Sequence, residues 1–196
     1  MLKRFFDIIF SIIFLTIFLP LIFLLLIIVK LTSSGPSIFR QKRVGKNFRL
    51  FTIYKIRTMH NNSVSNSELT FPDDQRITKV GNFLRRYKLD ELPQLFNILL
   101  GDMSFVGPRP ETPYFVGFYD SYKKKNIFSI RPGLTDYSSL EMFNEDEFLK
   151  KYSNYEETYI KKILPLKQNN SVEYIKNQSL VLDITIIIKT FLKFFK

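Results

Sequence analysis

Apolar and polar residues fall into blocks along this chain, and the blocks predict its elements. Ile8 to Val29 carries no charge and is nearly all Ile, Leu and Phe. A helix of that length can reach across a bilayer, which takes about 20 apolar residues. Ser37 to Val44 and Phe48 to Ile56 are short runs with β-branched and aromatic residues, split by the turn-prone Gly45-Lys46-Asn47, and predict a β-hairpin. His60 to Asp74 is polar and reads as a loop. Arg76 to Lys88 predicts a helix with Ile77, Val80, Phe83 and Leu84 on one face. Leu92 to Leu100 predicts a second helix, stopped by Gly101. Met103 to Pro113 holds Gly107, Pro108, Pro110 and Pro113 and predicts an ordered loop. Glu145 to Leu164 predicts another helix. Near the end, Ile184, Ile187, Ile188, Phe191, Leu192 and Phe195 recur at helical spacing, with Thr185, Lys189, Lys193 and Lys196 mostly opposite. The fold class expected is α+β: mostly helical, with one small hairpin and an apolar helix at the front.

The first segment has basic residues on both flanks. Lys3 and Arg4 precede it; Lys30, Arg40, Lys42, Arg43 and Lys46 follow. Its apolar core is longer than the roughly 7–15 residues of a secretory signal. The positive-inside rule gives no strong asymmetry, so both flanks can lie on the cytoplasmic side. Pro20 sits mid-run, where proline removes one helix hydrogen bond and favours a kink. Spanning helices tolerate such a proline. A helix that dips into one leaflet and returns would use it as its break. The residues themselves leave both paths open. The last helix suits an anionic membrane interface or a protein core with solvated lysines. The apolar segment in the same chain favours the membrane.

Charge narrows the partners. The 196 residues hold 29 Lys and Arg against 18 Asp and Glu, a formal net charge of +11. That surplus points to an anionic partner: nucleic acid, an anionic membrane or a phosphorylated substrate. Cysteine is absent, which rules out disulfide scaffolds and thiolate metal sites. The single histidine, His60, lies in a polar stretch and is given no role.

Candidate chemistry centres on Asp90-Glu91-Leu92-Pro93, which follows the basic Arg85-Arg86-Tyr87-Lys88. One reading is local: two acidic residues cap a helix start and favour its dipole. The other is catalytic. Free amides at a helix start, with Arg85, Arg86 and Lys88, can neutralise a diphosphate, and a carboxylate there can attack phosphorus. A divalent ion would reduce the repulsion between carboxylate and phosphate. Arg109, on the stiff Gly107-Pro108-Arg109-Pro110 loop, has the planar fork that matches phosphate oxygens.

Leu89-Asp90-Glu91-Leu92-Pro93-Gln94-Leu95-Phe96-Asn97 and Gly101-Asp102-Met103-Ser104-Phe105-Val106-Gly107-Pro108-Arg109-Pro110 resemble the bacterial sugar transferases called small monotopic phosphoglycosyl transferases. Lys55-Ile56-Arg57-Thr58-Met59, Arg131-Pro132-Gly133-Leu134-Thr135 and Asn177-Gln178-Ser179-Leu180-Val181-Leu182-Asp183 also look like motifs of that family, as does the proline-broken anchor. The resemblance implies a re-entrant membrane helix over residues 1–30, broken at Pro20, and a catalytic domain over 31–196 that faces the cytoplasm from the bacterial inner membrane. It implies transfer of a sugar 1-phosphate from a UDP-sugar to undecaprenyl phosphate, with release of UMP and with Mg2+ as cofactor. Asp90 matches the nucleophile that carries the phosphosugar and would also hold the metal. Glu91 completes the acidic pair. Arg85, Arg109, Lys55 and Arg131 match positions suited to phosphate or nucleotide contact.

Two departures stand out. Leu19 occupies the place before the proline where family anchors often have serine. Asp136-Tyr137-Ser138-Ser139-Leu140-Glu141 replaces a Gln-Val-Asn-Gly-Arg type stretch, which implies a distinct substrate subgroup. The rival readings are a membrane-tethered binder of anionic ligands such as nucleic acid, and a catalytically silent scaffold. No nucleic-acid-binding signature is present and the charge is spread along the chain, so nucleic acid is not an expected partner. The intact Asp90-Glu91 pair and Arg109 oppose a silent scaffold.

Overall fold

The computed structural model describes residues 2–61, 69–70, 74–138, 148–149 and 151–193. The chain forms two compact units. One holds Met1–Lys42, Thr52–Glu68 and Asp73–Gly101; the other holds Arg43–Phe51, Leu69–Pro72 and Asp102–Lys196.

The first unit is built on helix α1, Leu2–Thr32. Asp7, Ser11, Leu15, Ile22, Leu25 and Val29 are buried. Their spacing of three, four or seven places them on one helical face. Phe5, Ile13, Ile17 and Phe23 are exposed elsewhere on the helix. Phe6, Phe10, Phe14 and Phe18 form a ladder, with successive ring centroids 4.2, 6.2 and 6.2 Å apart. Pro20 lies inside α1, which continues across it as one element. Proline withdraws a single N–H, and apolar turns on both sides carry the helix past it.

Strands β1, Ile38–Val44, and β2, Leu50–Ile56, form the expected hairpin. Its turn is longer than Gly45-Lys46-Asn47: Gly45 N–H donates to the Arg49 carbonyl at 2.8 Å, so β2 begins at Leu50. Helix α2 spans Lys79–Arg86, not Arg76 onward. Asp74 accepts from the Arg76 amide at 3.0 Å and closes a turn there, and Thr78 caps the helix by accepting from Gly81 N–H at 2.8 Å. Helix α3 spans Gln94–Leu100 and ends at Gly101 as expected, with φ of 95°. Leu25 and Val29 of α1 pack with Ile56 and Leu84. Most of the polar stretch from His60 to Asp74 lies outside the described residues.

Two arginines fasten α1 within this unit. Arg4 donates to the Ile98 and Leu99 carbonyls at 2.6 and 2.9 Å, capping the end of α3. Arg57 binds the other end of α1. Its guanidinium donates to the Ser34 carbonyl, and to the Ser33 carbonyl and hydroxyl at 2.9 and 2.8 Å.

The second unit contains a strand pair that the expected Met103–Pro113 loop did not include. Strand β3, Ser104–Val106, runs parallel to β4, Gly133–Thr135, with Ser104 opposite Gly133 and Val106 opposite Thr135. Short helices α4, Pro113–Val116, and α5, Ser121–Ile127, fall between them. Of the helix expected over Glu145 to Leu164, Phe148 and Leu149 are helical, residues 151–154 are not, and helix resumes at Tyr155, where Asn154 accepts from Glu157 N–H at 3.1 Å; residues 145–147 and 150 lie outside the described set. Helix α6, Tyr155–Thr158, passes through a wide turn at Tyr159–Ile163 into α7, Leu164–Lys176.

Helix α8, Leu180–Lys193, closes the unit. It packs inward through Asp183 and Ile186, while Val181, Ile184, Ile188, Phe191 and Leu192 are exposed. The Tyr174 hydroxyl lies 2.5 Å from Asp183 Oδ1 and 3.2 Å from the Val106 carbonyl, tying α7 and α8 to β3. Phe195 and Lys196 lie outside the described residues.

Candidate active site

Asp90 and Glu91 do not open α3. They lie on a separate single turn, Leu89–Glu91, ahead of a helix that begins at Gln94. Pro93 is the reason: with φ of −63° it fits a right-handed path, but it offers no N–H. The turn follows Lys88, whose φ of 54° is left-handed. A residue with a side chain pays for that conformation, and here the reversal turns the chain from α2 into the acidic pair.

The pair is buried, Asp90 to 6 % exposure and Glu91 to 9 %. Lys55 of β2 donates to Glu91 Oε1 at 2.8 Å. Asp90 Oδ1 is buried and has no hydrogen-bond partner. Burial, and then the neighbouring Glu91, raise the Asp90 carboxyl above its ordinary value of 3.8, while Lys55, Lys88 and Arg85 pull it back. Arg85 Nε donates to Thr58 Oγ1 at 3.0 Å, which holds the base of its guanidinium against the segment that follows β2. The first unit therefore brings together Lys55, Arg85, Asp90 and Glu91.

Arg109 and Arg131 belong to the second unit. Their loops are laced together. Ser104 N–H donates to the Pro132 carbonyl and Gly133 N–H to the Pro108 carbonyl, both at 2.9 Å. A Cβ on Gly107 would come within 2.5 Å of the Arg131 carbonyl oxygen, and one on Gly133 within 2.1 Å of the Gly107 nitrogen. Only glycine allows that approach at both positions. Arg109 is exposed on this loop and Arg131 half-buried. Behind Arg109, the Pro110 carbonyl accepts from Arg43 at 3.1 Å and Glu111 Oε1 accepts from the Tyr159 hydroxyl at 2.6 Å.

Among the described residues, no three His, Cys, Asp or Glu side chains converge as a metal cage. A hard divalent ion such as magnesium is often held by one or two carboxylates, with water and substrate phosphate completing its shell. The unpartnered oxygen of Asp90 beside Glu91 fits that requirement.

The whole chain, residues 1–196, matches the family model described as bacterial sugar transferase. The chain belongs to the bacterial sugar transferase family. A UDP-N-acetylgalactosamine-undecaprenyl-phosphate N-acetylgalactosaminephosphotransferase of Aeromonas hydrophila is 38% identical over 195 residues, covering 96% of this chain and 42% of that protein. The uncharacterized sugar transferase EpsL of Bacillus subtilis is 33% identical, covering 97% of this chain and 85% of that protein. A UDP-glucose:undecaprenyl-phosphate glucose-1-phosphate transferase of Escherichia coli is 34% identical over 203 residues, covering all of this chain and 40% of that protein. The chain thus spans less than half of the first and third relatives and most of the second.

In this sugar transferase, motif reasoning passed over three residues that shape the site. Asn97 is fully buried; its side chain accepts from Tyr54 N–H at 3.2 Å and donates to the Thr52 carbonyl at 2.8 Å. It sets α3 against β2 beside Lys55. Arg57 is spent on α1. Gln94 is buried with an unpartnered amide nitrogen. The available signal was two amide side chains three residues apart in an otherwise apolar helix.

Proposed function

We propose that this sugar transferase moves a sugar 1-phosphate from a UDP-sugar to undecaprenyl phosphate, giving undecaprenyl diphosphate sugar and UMP. The observation that carries this reading is Asp90: a buried carboxylate with one unpartnered oxygen, among cations, beside a Glu91 held by Lys55. The names of the Aeromonas and Escherichia relatives support the substrate classes.

In the first step, an Asp90 oxygen attacks the sugar-linked phosphorus. A bond forms between that oxygen and phosphorus, the bond to the UMP oxygen breaks, and UMP leaves with the electron pair. In the second, an oxygen of undecaprenyl phosphate attacks the same phosphorus and restores the Asp90 carboxylate. Lys55 and Arg85 offset the charge that gathers there, and Arg109 and Arg131 are suited to bind phosphate. Magnesium, held by Asp90 with Glu91, would screen the carboxylate from the phosphate oxygens.

The same reading makes α1 a re-entrant element at the cytoplasmic face of the inner membrane. Helix α1 is long and apolar enough to cross a membrane. Its start is bonded through Arg4 to α3, and its end to Arg57, which directly follows β2. Both ends thus belong to one polar-bearing unit, which favours placing them on one side of the bilayer. The bend this needs would fall at Pro20, within a helix that stays continuous.

The test is acceptor-free turnover. Wild-type protein with magnesium and a panel of UDP-sugars should release up to about one UMP per site and gain the mass of a phosphosugar on Asp90. Asp90→Asn should do neither. UMP release only when undecaprenyl phosphate is present, with no trapped adduct, would assign the attack to the lipid phosphate instead. For topology, labels at Lys3→Cys and Ser37→Cys should react from the same face of intact vesicles.

A further inference from the structure

We propose that Gln94 is a substrate-contacting residue whose side-chain amide donates to a non-bridging oxygen of the phosphoryl group that Asp90 attacks. This rests on the reading of Asp90 given above. Gln94 is only 2 % exposed, yet its Nε2 has no hydrogen-bond partner. Buried amides are nearly always satisfied, so one left open asks for a partner that the protein does not supply. Asp90 Oδ1 is open in the same way.

The two groups are complementary and close along the chain. Leu92 and Pro93 both have right-handed backbone conformation, and Leu92 N–H and Leu95 N–H donate to the Leu89 and Leu92 carbonyls at 3.3 and 3.1 Å. Asp90 and Gln94 are therefore about one turn apart on a continuous right-handed path, where residues at that spacing share a side. One presents an acceptor-only oxygen and the other a donor. An apolar group could satisfy neither. A tetrahedral phosphoryl group satisfies both roles, offering phosphorus to the carboxylate and oxygens to the amide. Lys55, Lys88 and Arg85 all act on Asp90 electrostatically, and the same cations would offset part of a phosphoryl group's charge.

Gln94 has neighbours that fix its backbone but no side-chain bond to lose. Asn97, one turn further along, spends both ends of its amide on β2. Two amides in one helix thus have different employment, and Gln94 is the one left for a ligand.

The experiment uses full-length protein in lipid nanodiscs with magnesium, comparing wild type, Asp90→Asn, Gln94→Leu and Gln94→Glu. It measures the rate of acceptor-free UMP release, the affinity for UDP and the melting temperature. Gln94→Leu should slow the UMP burst at least about tenfold and weaken UDP binding at least about threefold, with a melting temperature equal to or above wild type, because an unsatisfied buried amide is replaced by an apolar group of similar size. Gln94→Glu should be worse than Gln94→Leu in both burst and UDP binding, since it sets a carboxylate against a phosphate. Equal or better function in Gln94→Glu than in Gln94→Leu would overturn the assignment to a phosphate oxygen. A burst and UDP affinity within twofold of wild type in Gln94→Leu would overturn the proposal, as would a loss accompanied by a matching fall in melting temperature. If wild type releases no UMP from any UDP-sugar, the functional reading fails separately. UDP affinity then decides Gln94 alone, and an unchanged value in Gln94→Leu overturns it.

Discussion

The Lys55 ammonium and the Glu91 carboxylate meet at 2.8 Å across 36 positions of sequence. The contact joins β2 to the turn that carries Asp90. It satisfies one member of the acidic pair and leaves the other open. Two adjacent carboxylates in nearly the same burial thereby acquire different chemistry.

Lys55→Met tests that division. It leaves the buried Glu91 charge without its amine and removes one of the cations that lower the Asp90 carboxyl. UMP release should fall at least about tenfold, roughly 1.4 kcal/mol in the transition state. Its acid limb should also move to higher pH. An unchanged pH–rate profile would show that Lys55 does not govern the pair.

Asp90→Asn should alter stability in a pH-dependent way. Burial, followed by Glu91, raises the folded carboxyl above 3.8. The folded state therefore holds the proton more tightly than the unfolded state. The stability from that proton is full below the unfolded value and is lost as pH rises through the folded one. Asparagine is neutral throughout. The melting temperature of Asp90→Asn, taken relative to wild type, should therefore climb as pH rises from about 4, then level off. Differential scanning fluorimetry across that range checks it, and a difference that falls with pH would reverse the assignment.

Asn97→Leu should behave in the opposite sense to Gln94→Leu. It strips a donor from the Thr52 carbonyl and an acceptor from the Tyr54 amide. Each buried backbone group left unsatisfied costs about 1–3 kcal/mol. The variant should lose roughly 2–4 kcal/mol in chemical denaturation, with activity falling in step. A stability within 1 kcal/mol of wild type, on the same scale, would mean that the amide does not hold α3 to β2.

These two amides also mark where reading the chain as letters stops working. The hairpin, α2, α3 and α8 follow from local periodicity and turn residues, so they could be anticipated to within a few positions. The β3–β4 pair could not: three-residue strands show no alternation, and Ser104 finds Gly133 only through the fold. Asp90, Glu91 and Arg109 were visible as motif positions. That Lys55 would face Glu91 was not, because the contact crosses 36 residues. Arg4 and Arg57 read as flank and motif charges, whereas the structure spends both on helix-end carbonyls. Spacing alone also put Asp90 on a helix start, where Pro93 in fact separates it from α3.

The exposed face of α8 should meet lipid. Ile188 and Phe191 are 52 % and 59 % exposed, while Ile186 on the inward face is fully buried. An environment-sensitive fluorophore at Ile188→Cys should be quenched by brominated lipids in anionic vesicles. One at Lys189→Cys, about 100° round the helix from Ile188, should be quenched less. Equal quenching at both positions would remove the helix from the interface.

Arg4 gives the anchor a second office. A soluble version made by deleting α1 would strip the guanidinium donors from the Ile98 and Leu99 carbonyls and uncover Ile56 and Leu84, which Leu25 and Val29 now shield. The shortened protein should therefore aggregate rather than dissolve. For the same reason α1 cannot be exchanged freely for any hydrophobic segment of similar length: a replacement must carry a cation near its start and a matching stripe along its inward side.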